Sequence, residues 1–313
     1  MDAAERNGRG MTTRTEQTHA ANLSDTRQNK LGSAILRWIL SVFGPAPACF
    51  LVEFISLVYA LTDRQARLRA LPYLKHRFPG AHGLRMGYHV WRLFSAQGKS
   101  LIMALALANG QASVRELNPG TFAPVRDADG GLVFLCSHFG PWQAAMHCVN
   151  SGGRAVAFVA KPDRNSDVDK SRAFNGHEQA PLHIIDTAGA FGGLLEAFEV
   201  LDAGGAVGLM GDRCLENEAV PVRFFGDTAY FPAAAFFLGA KASAPVVPFF
   251  LTRGKSYRDL VIEFAPAIRP ERPKRGENKF QREAQLYADA LERLATEHPY
   301  DCFLFENVWE APK

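Results

Sequence analysis

The sequence predicts an α/β protein: a mixed β-sheet core flanked by helices, with an N-terminal helical segment suited to a membrane surface. Three observations carry this. From residue 131 onward, short apolar runs alternate with helix-like runs, which is the pattern of a sheet covered by helices. Residues 34–61 form the most apolar stretch of the chain, and it precedes that alternation. A hydrophobic content of 47% over 313 residues is enough to bury a substantial core.

Residues 1–30 are polar, without periodicity, and read as a disordered tail with no signal-peptide arrangement. Residues 31–62 read as the membrane-associating helical segment. The apolar length would span a bilayer, but Gly44-Pro45-Ala46-Pro47 breaks it near the middle, and Arg37 and Glu53 are charged. A helix in the interface, or a broken hairpin dipping into one leaflet, fits better than a clean span. A buried core helix is the plainer alternative.

Residues 63–313 read as the α/β domain. Residues 62–110 are helix-like and carry Arg64, Arg67, Arg69, Lys75, His76 and Arg77, a surface that suits anionic headgroups or simply solvent. The strand-like runs are 131–136, 155–160, 181–186, 205–210, 245–251 and 258–265. Helix-like runs lie near 141–150, 168–179, 189–203, 232–243 and 277–298, and the aromatic C-terminal run reads as strand or packed loop.

Composition narrows the function classes. A net charge of +3, with no basic run interleaved with aromatics, gives no reason to expect a nucleic-acid partner. Cys49, Cys136, Cys148, Cys214 and Cys302 are scattered without metal-ligand spacing, so no metal is expected and a reducing compartment is. There is no G-x-S-x-G elbow. Gly98-Lys99-Ser100 resembles the tail of a phosphate loop but lacks the first glycine and the preceding strand.

The stretch L-C-S-H-F-G-P-W-Q (135–143) holds the first candidate. His138 follows a continuous apolar run, which places it at the carboxyl end of a strand, the edge where open α/β sheets bind ligands. Gly140 permits a turn and Pro141 suits a first helical turn, bringing Gln143 within one turn of His138. A histidine there could serve as general base with position 143 holding its other nitrogen, or it could merely satisfy a helix start. The second block, L-M-G-D-R, places Asp212 and Arg213 at another strand end. There an arginine can grip a phosphate or carboxylate. Lys161 and Arg164 lie on the same edge. His147 reads as buried against the sheet, and Glu216 and Glu218 as solvated loop residues.

The order S-H-F-G-x-W, then G-D-R, then F-F-G-x-x-A-x-F-P, then P-V-V-P-F resembles the lipid A late acyltransferase family (lauroyl/myristoyl type) of the lysophospholipid acyltransferase-like superfamily, over about residues 35–310. The resemblance implies transfer of a fatty acyl group from a thioester donor, acyl carrier protein or CoA, to a hydroxyl of a lipid or glycolipid acceptor. It places this chemistry on the cytosolic face of an inner membrane, without a cofactor. It assigns deprotonation of the acceptor to His138 and substrate contact to Asp212 and Arg213. Gly140, Trp142, Phe225, Gly226 and Pro232 fall in the blocks that shape substrate pockets. In the family four residues separate the histidine from an acid, and the position that corresponds to that acid, 143, is Gln. Three readings follow: another carboxylate substitutes, with Asp212 first and Asp186 next; the acceptor is an amine; or the fold is a catalytically impaired lipid-binding or accessory protein.

Overall fold

The computed structural model describes residues 30–160, 183–188, 190–214, 219–272 and 280–312. The helix expected at 168–179, the tail at 1–29, and Lys161, Arg164, Glu216 and Glu218 lie outside the described residues. His147 lies in a described helix, but its side chain is outside the description.

Two apolar helices, α1 (Lys30–Phe43) and α2 (Pro45–Thr62), meet at Gly44, whose φ of 81° is open to glycine at little cost. Pro45 opens α2 at the position where a missing N–H costs nothing. The two helices pack through Leu40, Ala48, Cys49 and Val52 onto Ile102 and Ala106 of α4 (Gly83–Ala108), with α3 (Arg64–Arg77) between them in sequence. Their other faces leave Trp38, Phe43, Phe50, Phe54, Val58 and Leu61 exposed. Among the described residues, Pro45–Thr62 is the one helix long and apolar enough to cross a membrane.

Glu53, a charge that counted against this stretch as a span, turns inward. Its carboxylate takes Ser95 Oγ at 2.6 Å and pairs with Lys99 of α4, and its carbonyl accepts from Trp91 Nε1. Gly98 of α4 gives that approach its room, because a Cβ there would stand 2.6 Å from Val52. The Gly98-Lys99-Ser100 triplet is therefore part of a helix–helix lock rather than a phosphate loop.

The sheet comprises β1 (Ser113–Glu116), β2 (Leu132–Cys136), β3 (Val156–Ala160), β4 (His183–Asp186), β5 (Ala206–Met210), β8 (Val246–Arg253) and β9 (Asp259–Phe264). Their order is β1-β9-β8-β2-β5-β3-β4, all neighbours parallel except β8 with β9. β2 sits in the middle and is buried throughout, as a continuous apolar run should be. Its residues alternate between layers. Val133 and Leu135 pack with Tyr287 and Leu291 of α9 (Gln281–Glu297) and with Phe236 of α8 (Ala234–Ala242). Phe134 and Cys136 pack on the other face with Phe122 of α5 (Pro119–Arg126) and Met103 of α4.

The structure departs from the sequence reading in four stretches. β1 and α5 fill a stretch without strong periodicity. Residues 219–232 form a hairpin, β6 (Ala219–Phe224) and β7 (Asp227–Pro232), where a loop was expected; Pro232 ends β7, and the helix it was expected to open starts at Ala234. The 141–150 helix is a 3-10 turn (Trp142–Ala144) followed by the short α6 (Ala145–Cys148). The helix-like run at 189–203 is α7 (Leu194–Asp202) after a 3-10 turn.

Candidate active site

The site is a product of register. β2 and β5 pair in parallel from Leu132↔Ala206 to Cys136↔Met210. Carrying that alignment two residues past the strand ends sets His138 across from Asp212. Both sit at the carboxyl edge of the sheet, where the chain leaves regular pairing and side chains are free to converge.

They do converge. Asp212 Oδ2 lies 3.0 Å and Oδ1 3.1 Å from His138 Nδ1, and Oδ2 also accepts the His138 backbone N–H at 2.9 Å. The carboxylate side chain is 1% exposed and the imidazole 15%. Burial works against ionisation of Asp212, but the adjacent His138, its ring and backbone hydrogen bonds and the Arg213 charge outweigh it and hold the carboxyl below its ordinary value. A carboxylate on Nδ1 fixes the tautomer with Nδ1 protonated and leaves Nε2 as the basic nitrogen. Among the described residues nothing hydrogen-bonds Nε2. Trp142 meets the imidazole edge-to-face at 4.7 Å between centroids.

The loop holding His138 is pinned from three sides. Gly140, at φ 55°, lies so close to β8 that a Cβ would fall 1.9 Å from the Leu251 carbonyl oxygen. Its N–H donates to Asp301 O at 2.7 Å, and the His138 carbonyl accepts from Phe303 N at 2.8 Å. Asp301 is itself buried and paired with Arg253 at 2.7 Å. Beneath β2, the buried Tyr287 hydroxyl donates to Cys136 O at 2.9 Å, and Gly211 leaves room for its ring. Tyr287, Asp301 and Arg253 were not singled out from sequence. Their only signal was that polar residues stood among aromatic ones in the C-terminal third.

Gln143 makes no hydrogen bond to His138 among the described residues. Its Oε1 is buried without a partner. The acid expected at 143 is supplied to the ring by Asp212 instead. Asp186 stands at the end of β4, three strands from β2, and caps Ala188 N. With strands about 4.8 Å apart it is out of reach of the ring. Arg213 lies beside the site, 3.5 Å from Phe303 O and 3.8 Å from Glu306, with Nε buried and unpartnered.

Phe225 and Gly226, at φ 51° and 87°, form the two-residue turn of the β6–β7 hairpin. Phe225 N donates to Glu292 of α9 and its ring meets Tyr73 of α3. Pro232 pairs with Ala219 across the hairpin, and among the described residues no hydrogen bond or ring contact joins these three residues to His138.

The thiols offer no rival nucleophile. Burial pushes Cys49, Cys148 and Cys214 up to about 12 and raises Cys136 and Cys302 as well, so all five favour the protonated thiol. Among the described residues no group of three or more His, Cys, Asp or Glu side chains could hold a metal ion.

The model of the bacterial lipid A biosynthesis acyltransferases matches residues 116–311, which contain the whole of this site. The chain belongs to the bacterial lipid A biosynthesis acyltransferase family. As a member it is an acyltransferase. A search of curated proteins gave no significant match. Among solved structures, the 1-acyl-sn-glycerophosphate (LPA) acyltransferase PlsC from Thermotoga maritima is similar over 82% of this chain and 97% of that one. The identity is 10% and the TM-score 0.38, too slight a likeness to carry an argument. The family region of this acyltransferase begins at the end of β1, so α1 to α4 precede it.

Proposed function

We propose that this family member transfers a fatty acyl group from a thioester donor, acyl carrier protein or CoA, to a hydroxyl of a lipid or glycolipid acceptor at the cytosolic face of the inner membrane. The observation that carries the reading is the buried Asp212 carboxylate on His138 Nδ1, with Nε2 left to take a proton.

In this reaction Nε2 removes the acceptor's hydroxyl proton as the oxygen attacks the thioester carbonyl. The tetrahedral intermediate collapses by breaking the C–S bond. The departing thiolate recovers the proton from the imidazolium, leaving an ester and a free thiol. Asp212 stabilises the imidazolium in between. Arg213, with unpaired Nε, is suited to a phosphate or polar group of a substrate, and Trp142 packs edge-to-face on the imidazole. Gln143 is given no proton-transfer role in this scheme.

The apolar faces of α1 and α2 support membrane placement, since so many exposed aromatic and aliphatic side chains mark an interaction surface. All five cysteines are free, in keeping with a reducing compartment. The Asp212 contact favours the hydroxyl-activating reading over the accessory-protein one, because an unused imidazole does not need a buried anion behind it.

The test is lipid profiling of a deletion strain complemented with wild type, His138→Ala and Asp212→Asn, with matched expression and thermal unfolding. Wild type restores an acylated lipid that both variants fail to restore. Full rescue by His138→Ala would sink the proposal.

A further inference from the structure

The carboxyl ends of β2 and β8 lie side by side, and the parallel register places Leu251 beside His138. Two residues further on, Arg253 opens a pocket of about 680 Å³ that no part of the transfer scheme uses. Asp301, whose carbonyl holds Gly140, lines it together with Arg253, Lys255, Arg258 and His298, and so do Pro45 and Ala46 of the first turn of α2.

The charge here is uncompensated. Asp301 pairs with Arg253. Lys255 and Arg258 have no ion-pair partner among the described residues, and Asp259, the nearest acid in sequence, is taken by Arg115 and the Lys255 backbone N–H. The Arg258 guanidinium reaches back to the helix hinge, 3.1 Å from where a Gly44 Cβ would stand. α2 begins in the same space without a side-chain cap, and with Pro45 and Pro47 lacking an N–H its first-turn donors are those of Ala46 and Ala48. The turn between β8 and β9 is fixed on the helices, since Tyr257 packs with the Leu40, Ala48 and Cys49 cluster. An open basic pocket thus lies at the junction of α1 and α2, the two helices with exposed apolar faces.

We infer that this pocket binds the phosphate of an anionic phospholipid headgroup and so sets the depth and orientation of α1 and α2 at the membrane. The acyl chains of that lipid lie along the exposed face of the helices, and its phosphate sits among Arg258, Lys255 and the α2 N-terminus. The inference rests on the membrane placement proposed above, but not on the transfer chemistry.

The experiment is co-sedimentation of the full chain, in a His138→Ala background, with phosphatidylcholine vesicles and with vesicles of phosphatidylglycerol in phosphatidylcholine. Wild type at those positions prefers the anionic vesicles. The double variant Lys255→Gln/Arg258→Gln loses about thirty-fold of that preference, two basic contacts near a membrane surface being worth about a factor of five each. It keeps its binding to neutral vesicles.

The control pair Lys241→Gln/Arg272→Gln carries the same charge change at the opposite edge of the sheet, near the start of β8. It shifts the preference less than about threefold. Equal losses in both pairs would mean diffuse attraction and overturn the pocket. No binding of wild type to either vesicle would overturn the membrane placement and the inference with it. Saturable binding of inorganic phosphate that anionic vesicles fail to displace would assign the pocket to a free phosphate instead and overturn the lipid.

Discussion

His138 and Asp212, 74 residues apart, are joined twice, once through the ring and once through the His138 backbone N–H. The second bond matters as much as the first. It ties the carboxylate to the loop itself, so the ring cannot rotate away without breaking a buried charge-assisted contact. In the proposed scheme His138 is the base, and a base positioned in this way contributes about 10²–10⁴ in rate.

His138→Ala should therefore lower acyl transfer by about 10²–10⁴ while leaving thermal unfolding within a few degrees of wild type. Transfer assayed with a labelled thioester donor decides it. Undiminished turnover would remove His138 from the chemistry.

Asp212→Asn should cost about 10⁴, the loss seen when the orienting acid of a serine-protease triad is made an amide. The amide favours the wrong tautomer and supplies no charge. Gln143→Glu, by contrast, should leave the rate within about threefold, because Nδ1 already has its acid, and should destabilise the fold by about 1–3 kcal/mol through a charge placed where the Oε1 has no partner. A large gain in rate from Gln143→Glu would show that Asp212 is not the working carboxylate.

Gly140→Ala should cost ~3 kcal/mol or more, since a Cβ meets a backbone oxygen that β8 cannot move and φ is positive. Chemical denaturation measures it. Because Gly140 sits two residues from His138, transfer should fall further than the lost folded fraction alone accounts for.

Tyr287→Phe should destabilise by about 1–2 kcal/mol by leaving the buried Cys136 carbonyl without its donor. Its KM should hold while stability falls, the reverse of what a substrate-contacting hydroxyl would give.

The acid limb of stability should depend on Asp212. Its carboxyl is held below the ordinary value, so the unfolded chain binds that proton more readily than the folded one, and stability rises with pH over that interval. The contribution is present above about pH 4, the ordinary carboxylate value, and is lost as pH falls through the lowered one. Thermal unfolding from pH 5 downward should show a steeper decline for wild type than for Asp212→Asn. Parallel curves would mean the carboxylate is not held ionised.

The central strands were legible because burial on both faces writes itself as unbroken apolar runs, as in Leu132–Cys136 and Val246–Leu251. The β6–β7 hairpin was harder to see. Its alternation of Val220, Val222 and Phe224 was there, but Pro221 and Arg223 between them, both exposed, look like loop residues. In the site, His138, Asp212 and Arg213 could be placed because each follows a strand. Gln143 could not, because Gly140-Pro141 and a 3-10 turn stand where a regular helix would have brought it round. Asp301 and Tyr287 could not either, since nothing local to them signals the distant loop they hold.

The hold of Asp301 and Phe303 on the histidine loop also orders events at the ribosome. Both residues are translated long after α1, α2 and the central strands. A nascent chain can pack its N-terminal helices while its imidazole still lacks a fixed address, and only the late return of Asp301–Phe303 fixes the loop. Transfer by ribosome-stalled chains that end before Asp301 should be at background, and full turnover from them would show that the loop sets itself.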